Sequence, residues 1–234
     1  MSFGCYSPKI IAHRGYWKAA SGAQNSLESI KKADAHKFYG SEFDIQITKD
    51  SIPIVFHDNY INDIKIEDLS FVEIKDEKLS NGENIPSLED YLKTAKSLKN
   101  IRLIAELKSQ SSPELEGLLV NETIELISKY HLQNNTDYIS FSAHICDLIK
   151  KKVPTAHVQY LNGDLSPIQI KERGWDGLDY NYKILLNNQN WIKEAHDLGL
   201  STNAWTVNTV QDIEALKKLK IQMITTDEPL KLKD

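Results

Sequence analysis

Five short strings carry side chains that could do chemistry: His13-Arg14-Gly15, Glu42-Phe43-Asp44, Thr48-Lys49-Asp50, His57-Asp58 and Glu106-Leu107-Lys108. Each lies at or just beyond the end of an apolar, strand-like run. Among their side chains are two imidazoles (His13, His57), three carboxylates (Glu42, Asp44, Glu106), an arginine (Arg14) and a lysine (Lys108). Breaking a phosphate ester with a divalent cation would require such a set.

Glu42 and Asp44 are two apart on a strand, so both carboxylates face the same way, and a hard cation favours oxygen ligands of this kind. A solvated strand edge is the plainer alternative for that pair alone. Glu106 and Lys108 repeat the spacing at the end of apolar Leu103-Ile104-Ala105. Charge is costly beside a buried strand unless it is paired or liganded. Arg14 has a planar fork that matches phosphate oxygens, and Gly15 beside it is small enough to let a phosphate approach the backbone. His57 ends Ile54-Val55-Phe56 as His13 ends Ile10-Ile11-Ala12, and Asp58 either orients the His57 ring or caps the following turn. A lone strand-end histidine is more often structural, but two with carboxylates between them could act as acid and base around a cation-held phosphate. Trp205 is either a core filler or an apolar pocket wall. Trp17 either lines a mouth or packs locally.

Other chemistries have weaker support. His36, His131, His144, His157 and His196 lack zinc-ligand spacing, and Ser140-Phe141-Ser142 lacks the glycines of a nucleophile elbow.

The elements that must position these residues alternate along the chain. Strand patterns cover Ile10–Ala12, Ser41–Thr48, Ile52–Phe56, Ile101–Leu107, Tyr138–Phe141, Ala156–Leu161, Gly177–Tyr180, Ser201–Val207 and Ile221–Thr225. Helical patterns cover Ser26–Phe38, Ser87–Leu98, Ser112–Tyr130, Ala143–Lys151, Pro167–Glu172, Leu186–Leu198 and Val210–Leu219, with Ser26 as an N-cap. Such alternation predicts parallel strands joined by right-handed crossovers. Eight repeats in 234 residues fit an α/β fold of the (β/α)8 TIM-barrel type. An open doubly wound sheet is the competitor, but no G-x-G-x-x-G follows the first strand and the polar residues come from several strand ends. Residues 59–84 break the rhythm and read as a short insertion over the C-terminal face of one domain spanning residues 1–234.

With 41% apolar and 26% charged residues the composition is that of a soluble globular protein. A net charge of −5 spread along the chain gives no reason to expect a nucleic-acid partner or a basic membrane anchor. No apolar run reaches the about 18 residues of a transmembrane helix. Cys5 and Cys146 show no metal spacing, and a disulfide between them is a minority expectation. The chain as given reads as cytoplasmic by default. Gly4-Cys5 nevertheless resembles the end of a bacterial lipoprotein signal, and a leader removed there would place the protein in the periplasm or on a lipid anchor.

Taken in order, His13-Arg14-Gly15, Asn25-Ser26, Glu42-x-Asp44, Thr48-x-Asp50, His57-Asp58, Ile85-Pro86-Ser87-Leu88-Glu89, Glu106-x-Lys108, Trp205-Thr206-Val207-Asn208 and Thr226-Asp227-x-Pro229 resemble the glycerophosphodiester phosphodiesterases. The resemblance runs from Ile10 to Pro229. It implies a TIM barrel that hydrolyses a glycerophosphodiester, typically a deacylated phospholipid, to glycerol 3-phosphate and an alcohol with one divalent cation. By similarity Glu42, Asp44 and Glu106 would be the metal ligands, His13 the general base, His57 the general acid, and Arg14 and Lys108 the phosphate-binding cations. Trp205 is expected to line the substrate pocket. Ca2+, Mg2+ and Mn2+ all take oxygen ligands and stay open as choices.

Two departures stand out. Gln24-Asn25-Ser26 replaces the family's Glu-Asn-Thr or Glu-Asn-Ser, which lowers the negative charge near the cation, and the insertion is short for the family. Alternative readings are a phospholipase D-like relative acting on lysophospholipids, and a barrel that binds a phosphodiester without turnover. The polar insertion weighs against the first, and the retention of both histidines against the second.

Overall fold

The structure is a computed structural model that describes residues 6–232. Its strands are β1 (Lys9–Ala12), β2 (Gly40–Ile47), β3 (Pro53–Val55), β4 (Tyr60–Ile61), β5 (Ile64–Lys65), β6 (Arg102–Leu107), β7 (Thr136–Ser140), β8 (His157–Tyr160), β9 (Gly177–Asn181), β10 (Ser201–Trp205) and β11 (Met223–Thr226). Helices are α1 (Leu27–Ala35), α2 (Phe71–Ile74), α3 (Leu88–Lys96), α4 (Pro113–Lys129), α5 (Ala143–Lys152), α6 (Pro167–Glu172), α7 (Tyr182–Asn187), α8 (Asn190–Asp197) and α9 (Val210–Lys218).

Eight strands close a parallel barrel in the order β1-β11-β10-β9-β8-β7-β6-β2, and β2 returns to β1 through Ile11 opposite Gly40 and Ala12 opposite Ser41. The expected TIM barrel is thus present, with helices between the strands. Ser26 caps α1 as expected, its hydroxyl accepting from Ser29 N at 3.0 Å.

The alternation along β2 sorts its side chains. Phe43, Ile45 and Ile47 join the apolar layer beneath the helices, where Phe43 stacks on Tyr91 of α3 at 4.5 Å. Glu42, Asp44 and Gln46 consequently face the barrel interior, because successive strand residues point to opposite faces. Inside, Ile11, Ile104, Ile139, Leu161 and Met223 form an apolar plug, with Trp205 packed at its edge. Nearer the start of the strands, Arg102 makes a bidentate pair with Asp137, at 2.6 Å for each bond. The site therefore has a packed floor and opens at the strands' C-terminal ends, as TIM barrels do.

Three expectations need correction. The pattern over Ile52–Phe56 is not a barrel strand: β3 runs antiparallel to β2, with Ile45 opposite Val55 and Ile47 opposite Pro53. Thr48-Lys49-Asp50 is the turn of that hairpin and not part of the chemistry. Thr48 Oγ1 donates to Asp50 Oδ1 at 2.6 Å, and Asp50 also accepts from Phe71 N at the start of α2. The helix expected over Leu186–Leu198 is two helices, α7 starting earlier under an Asn181 cap and α8 beginning after Asn188 leaves helical geometry at φ −120°, ψ 57°. A period of 3.6 does not register a one-residue break of this kind.

Residues 59–84 hold the β4–β5 hairpin and α2, whose Ile61, Ile66, Ile74 and Leu79 cluster with Ala23, Ile54 and Ile85. Glu83 ties this insertion to the barrel by accepting from Leu27 N and Glu28 N at the start of α1. The suggested Cys5–Cys146 disulfide and the leader ending at Cys5 lie outside the described residues; Cys146 is buried and free.

Candidate active site

β2 and β6 run in register, with Asp44 opposite Glu106, so their inward carboxylates meet at the barrel mouth. Glu42, Asp44 and Glu106 are all buried, and each offers an oxygen within 4.8 Å of the other two. Glu42 Oε1 is buried with no hydrogen-bond partner, and its Oε2 accepts from Arg14 N at 2.7 Å. Asp44 is fixed by Asn25, which donates to Asp44 Oδ2 at 2.9 Å and accepts from Asp44 N at 3.1 Å. Three converging acids with an unpartnered buried oxygen are a donor set fitted to a hard divalent cation.

The electrostatics reflect this crowding. Burial, then the charges of Asp44 and Glu106, push the Glu42 carboxyl well above its usual range. Burial and Asp44 push Glu106 up to about 7, despite the opposing ammonium of Lys108. Burial acts the same way on Asp44, but Lys108, His57, Arg14 and the Asn25 hydrogen bond outweigh it and hold Asp44 low. Lys108 Nζ lies 2.9 Å from Glu106 and 3.3 Å from Asp44. Arg14 Nε lies 3.5 Å from Asp44, and its Nη1 donates to Gln24 Oε1 at 2.7 Å.

The chain reaches this geometry through two consecutive left-handed residues, Arg14 at φ 54° and Gly15 at φ 78°. Arg14 is strained there, as non-glycine residues held at functional sites can be. The smallness of Gly15 serves packing: a Cβ would meet Ser29 Oγ of α1 at 2.2 Å.

Each histidine has its own carboxylate. His13, anchored by its N–H to Thr226 O, has Nδ1 2.8 Å from Asp227 Oδ1 and Nε2 4.0 Å from Glu42. Asp227 also accepts from Trp17 Nε1 and Asn208 Nδ2. Burial would raise the Asp227 carboxyl, but the bond and charge of His13, followed by the other donors, bring it down to about 2. His57 arrives by another route, since β3 carries the chain back down beside β2 and Phe56 N bonds Asp44 O. Its Nδ1 is 2.7 Å from Asp58 Oδ1, so Asp58 orients the ring. Burial lowers the affinity of His57 for a proton, with Asp44 pulling the other way.

His13, Arg14, Glu42, His57, Glu106, Lys108 and Trp205 line one cavity of about 120 Å³, with Asp44 directly behind them. The residues expected to ligate metal, to bind phosphate and to act as acid and base are therefore brought together with Trp205, whereas Thr48, Lys49 and Asp50 are not. Trp205 forms a wall with Phe141, the rings edge to face at 5.5 Å, and is pinned by Nε1 donating to Asp179 O. Sequence reasoning assigned no role to Asn25, Asp179 or Asp227. Asn25 and Asp227 stand inside quoted motifs, but their partners are distant in the chain. Asp179 had a period-two signal, as a charged residue at an inward position of Gly177-Leu178-Asp179-Tyr180.

A TIM barrel with a three-carboxylate cluster, two cations and two carboxylate-paired histidines at its mouth defines a class: a barrel whose mouth could hold a metal ion beside groups suited to a phosphate ester. Comparison with known proteins narrows it. A sequence profile of the glycerophosphoryl diester phosphodiesterase family matches residues 13–231. A crystal structure of a glycerophosphodiester phosphodiesterase from Parabacteroides distasonis ATCC 8503 is 44% identical, with TM-score 0.96 over 98% of this chain and 96% of that one. Glycerophosphodiester phosphodiesterase of Caldanaerobacter subterraneus subsp. tengcongensis is 22% identical over 94% of each chain. The fold is shared by an Oleispira antarctica phosphodiesterase solved with sn-glycerol-3-phosphate, 21% identical at TM-score 0.82 over 97% of this chain and 96% of that one. The chain belongs to the glycerophosphoryl diester phosphodiesterase family, a family of phosphoric diester hydrolases. Among the described residues no helix is long and apolar enough to cross a membrane.

Proposed function

We propose that this protein hydrolyses glycerophosphodiesters to sn-glycerol 3-phosphate and an alcohol, with one divalent cation held by Glu42, Asp44 and Glu106 and with His13 and His57 as base and acid. The observation that carries this reading is the convergence of the three buried acids, one with an unpartnered oxygen, between two cations and two oriented imidazoles. The sn-glycerol-3-phosphate bound by the Oleispira antarctica phosphodiesterase is the product this reading expects.

When bound, Ca2+, Mg2+ or Mn2+ would polarise a phosphoryl oxygen and offset the charge of the carboxylates. Arg14 and Lys108 hold the remaining phosphoryl oxygens and stabilise charge that grows in the transition state. With anionic Asp227 at Nδ1, His13 keeps its ring proton there and presents Nε2 as an acceptor, so Nε2 takes a proton from the attacking water. His57, oriented by Asp58 through Nδ1, gives a proton from Nε2 to the departing alcohol oxygen. A bond forms between water oxygen and phosphorus, and the bond from phosphorus to the head-group oxygen breaks.

Hydrolysis in water enriched in oxygen-18, followed by mass spectrometry, tests this. The reading predicts label in the phosphate of glycerol 3-phosphate and none in the alcohol. Label in the alcohol would show attack at carbon and overturn it.

A further inference from the structure

Asp179 has no part in the chemistry described above, yet it is 1% exposed and lines the active-site cavity. Its Oδ1 is buried and makes no hydrogen bond. Its strand, β9, stands four strands around the barrel from β2 in either direction, so Asp179 faces the β2 carboxylates Glu42 and Asp44 across the bore, with Glu106 of β6 near enough for its charge to act on Asp179. The surrounding floor and wall are Ile139, Leu161, Thr225 and Trp205. The Asn203 side chain hydrogen-bonds the Asp179 carboxyl but leaves Oδ1 without a partner; a buried polar oxygen left unpaired is costly where a leucine would cost nothing, so the position calls for a ligand that satisfies it.

Resting on the proposed function, we propose that Asp179 is a specificity-determining residue that hydrogen-bonds a hydroxyl of the substrate's glycerol moiety, so that the site selects glycerol esters over alkyl esters.

Two features assign the glycerol rather than the head group to this side. The cavity is closed beneath Asp179 by the apolar plug, and about 120 Å³ suits a fixed, small group. The partly exposed His57 lies on the opposite side beside the insertion, where the head group can vary and depart. Burial pushes the Asp179 carboxyl up to about 8. At neutral pH it is accordingly an acid with one donor and free acceptor capacity, suited to a hydroxyl that needs both. Trp205, hydrogen-bonded to the carbonyl of Asp179, presents a flat apolar face beside the same place. A site built to bond a hydroxyl rejects the analogue lacking it strongly, because its own polar group is then left unpaired.

The test is calorimetric binding of sn-glycerol 3-phosphate and of propyl phosphate, which lacks both hydroxyls, to the wild type, Asp179→Leu and Asp179→Asn in the presence of Mg2+. Wild type is expected to favour glycerol 3-phosphate at least tenfold. Asp179→Leu should bring the ratio near one while leaving propyl phosphate affinity unchanged, and should melt no lower than wild type. Asp179→Asn should keep part of the preference, and it supplies the answer if Asp179→Leu does not fold. A ratio near one in wild type, an unchanged ratio in both variants, or an equal loss for both ligands would each overturn the proposal. Because the readout is a binding ratio, it is independent of turnover: failure of catalysis on glycerol diesters would count against the proposed function and not against Asp179.

Discussion

At the scale of single residues, the two histidines differ in what their carboxylates do for them. Asp227 is held ionised by three donors, so it fixes the tautomer of His13 and leaves Nε2 free to accept. His57 has one partner, Asp58, on a more exposed edge. Their roles should separate by leaving group. His57→Ala is expected to lose on the order of 10²-fold in kcat on a choline or ethanolamine diester and far less on a 4-nitrophenyl ester, whose leaving group needs no proton. His13→Ala should lose on both, and steady-state rates with the two substrates check this. Asp227→Asn should lower kcat at least tenfold by disturbing the tautomer while calorimetry finds cation affinity within about threefold of wild type, since Asp227 is not among the converging acids. The candidate ligands were legible in the sequence because a strand's period of two puts Glu42 with Asp44 and brings Glu106 to a strand end. Asp227 was not, because its partner is 214 positions away and nothing local marks the pair.

Elements explain how residues so far apart share one site. β2 is the longest strand, and its overhang beyond the barrel folds back as β3, which delivers His57 to the level of Asp44. The expectation of parallel pairing failed at Ile52–Phe56 for a physical reason: five residues, 48–52, separate the paired strands, enough for a hairpin and too few for a crossover. The barrel strands themselves were legible, as all but β2 and β11 run next into a helical pattern. Helix α1 positions Gly15 and Asn25 and depends on its N-terminal partners, the Ser26 hydroxyl and the Glu83 carboxylate from the insertion. Ser26→Ala is expected to destabilise the protein by about 1 kcal/mol, and Glu83→Ala by a similar amount, about 0.5–2 kcal/mol, as hydrogen bonds to a charged acceptor are lost. Urea unfolding curves measure both. An unchanged midpoint in Glu83→Ala would show that the insertion does not brace α1.

For the molecule as a whole, the acidic mouth is expected to make stability depend on pH and on cation together. Glu106 rises from about 4.5 to about 7 and Asp179 from about 3.8 to about 8 on folding, so the folded state binds their protons more tightly than the unfolded chain does. Their stabilising contribution is full below the unfolded values and is lost as pH rises through the folded ones. Cation-free protein should therefore lose melting temperature between pH 5 and 8, and saturating Mg2+ or Ca2+ should flatten that decline with release of protons. Asp227 works in the opposite sense, its contribution being lost as pH falls from about 4 to about 2. Thermal melts across pH with and without EDTA show both trends. The most direct measurement is release of glycerol 3-phosphate from glycerophosphocholine and glycerophosphoethanolamine by wild type, His13→Ala and Glu42→Gln, each assayed with EDTA and with added Ca2+, Mg2+ or Mn2+. Release that requires a cation and falls at least 10²-fold in both variants is the predicted result; undiminished release in EDTA or by Glu42→Gln, or none from the folded, cation-loaded wild type, would contradict it.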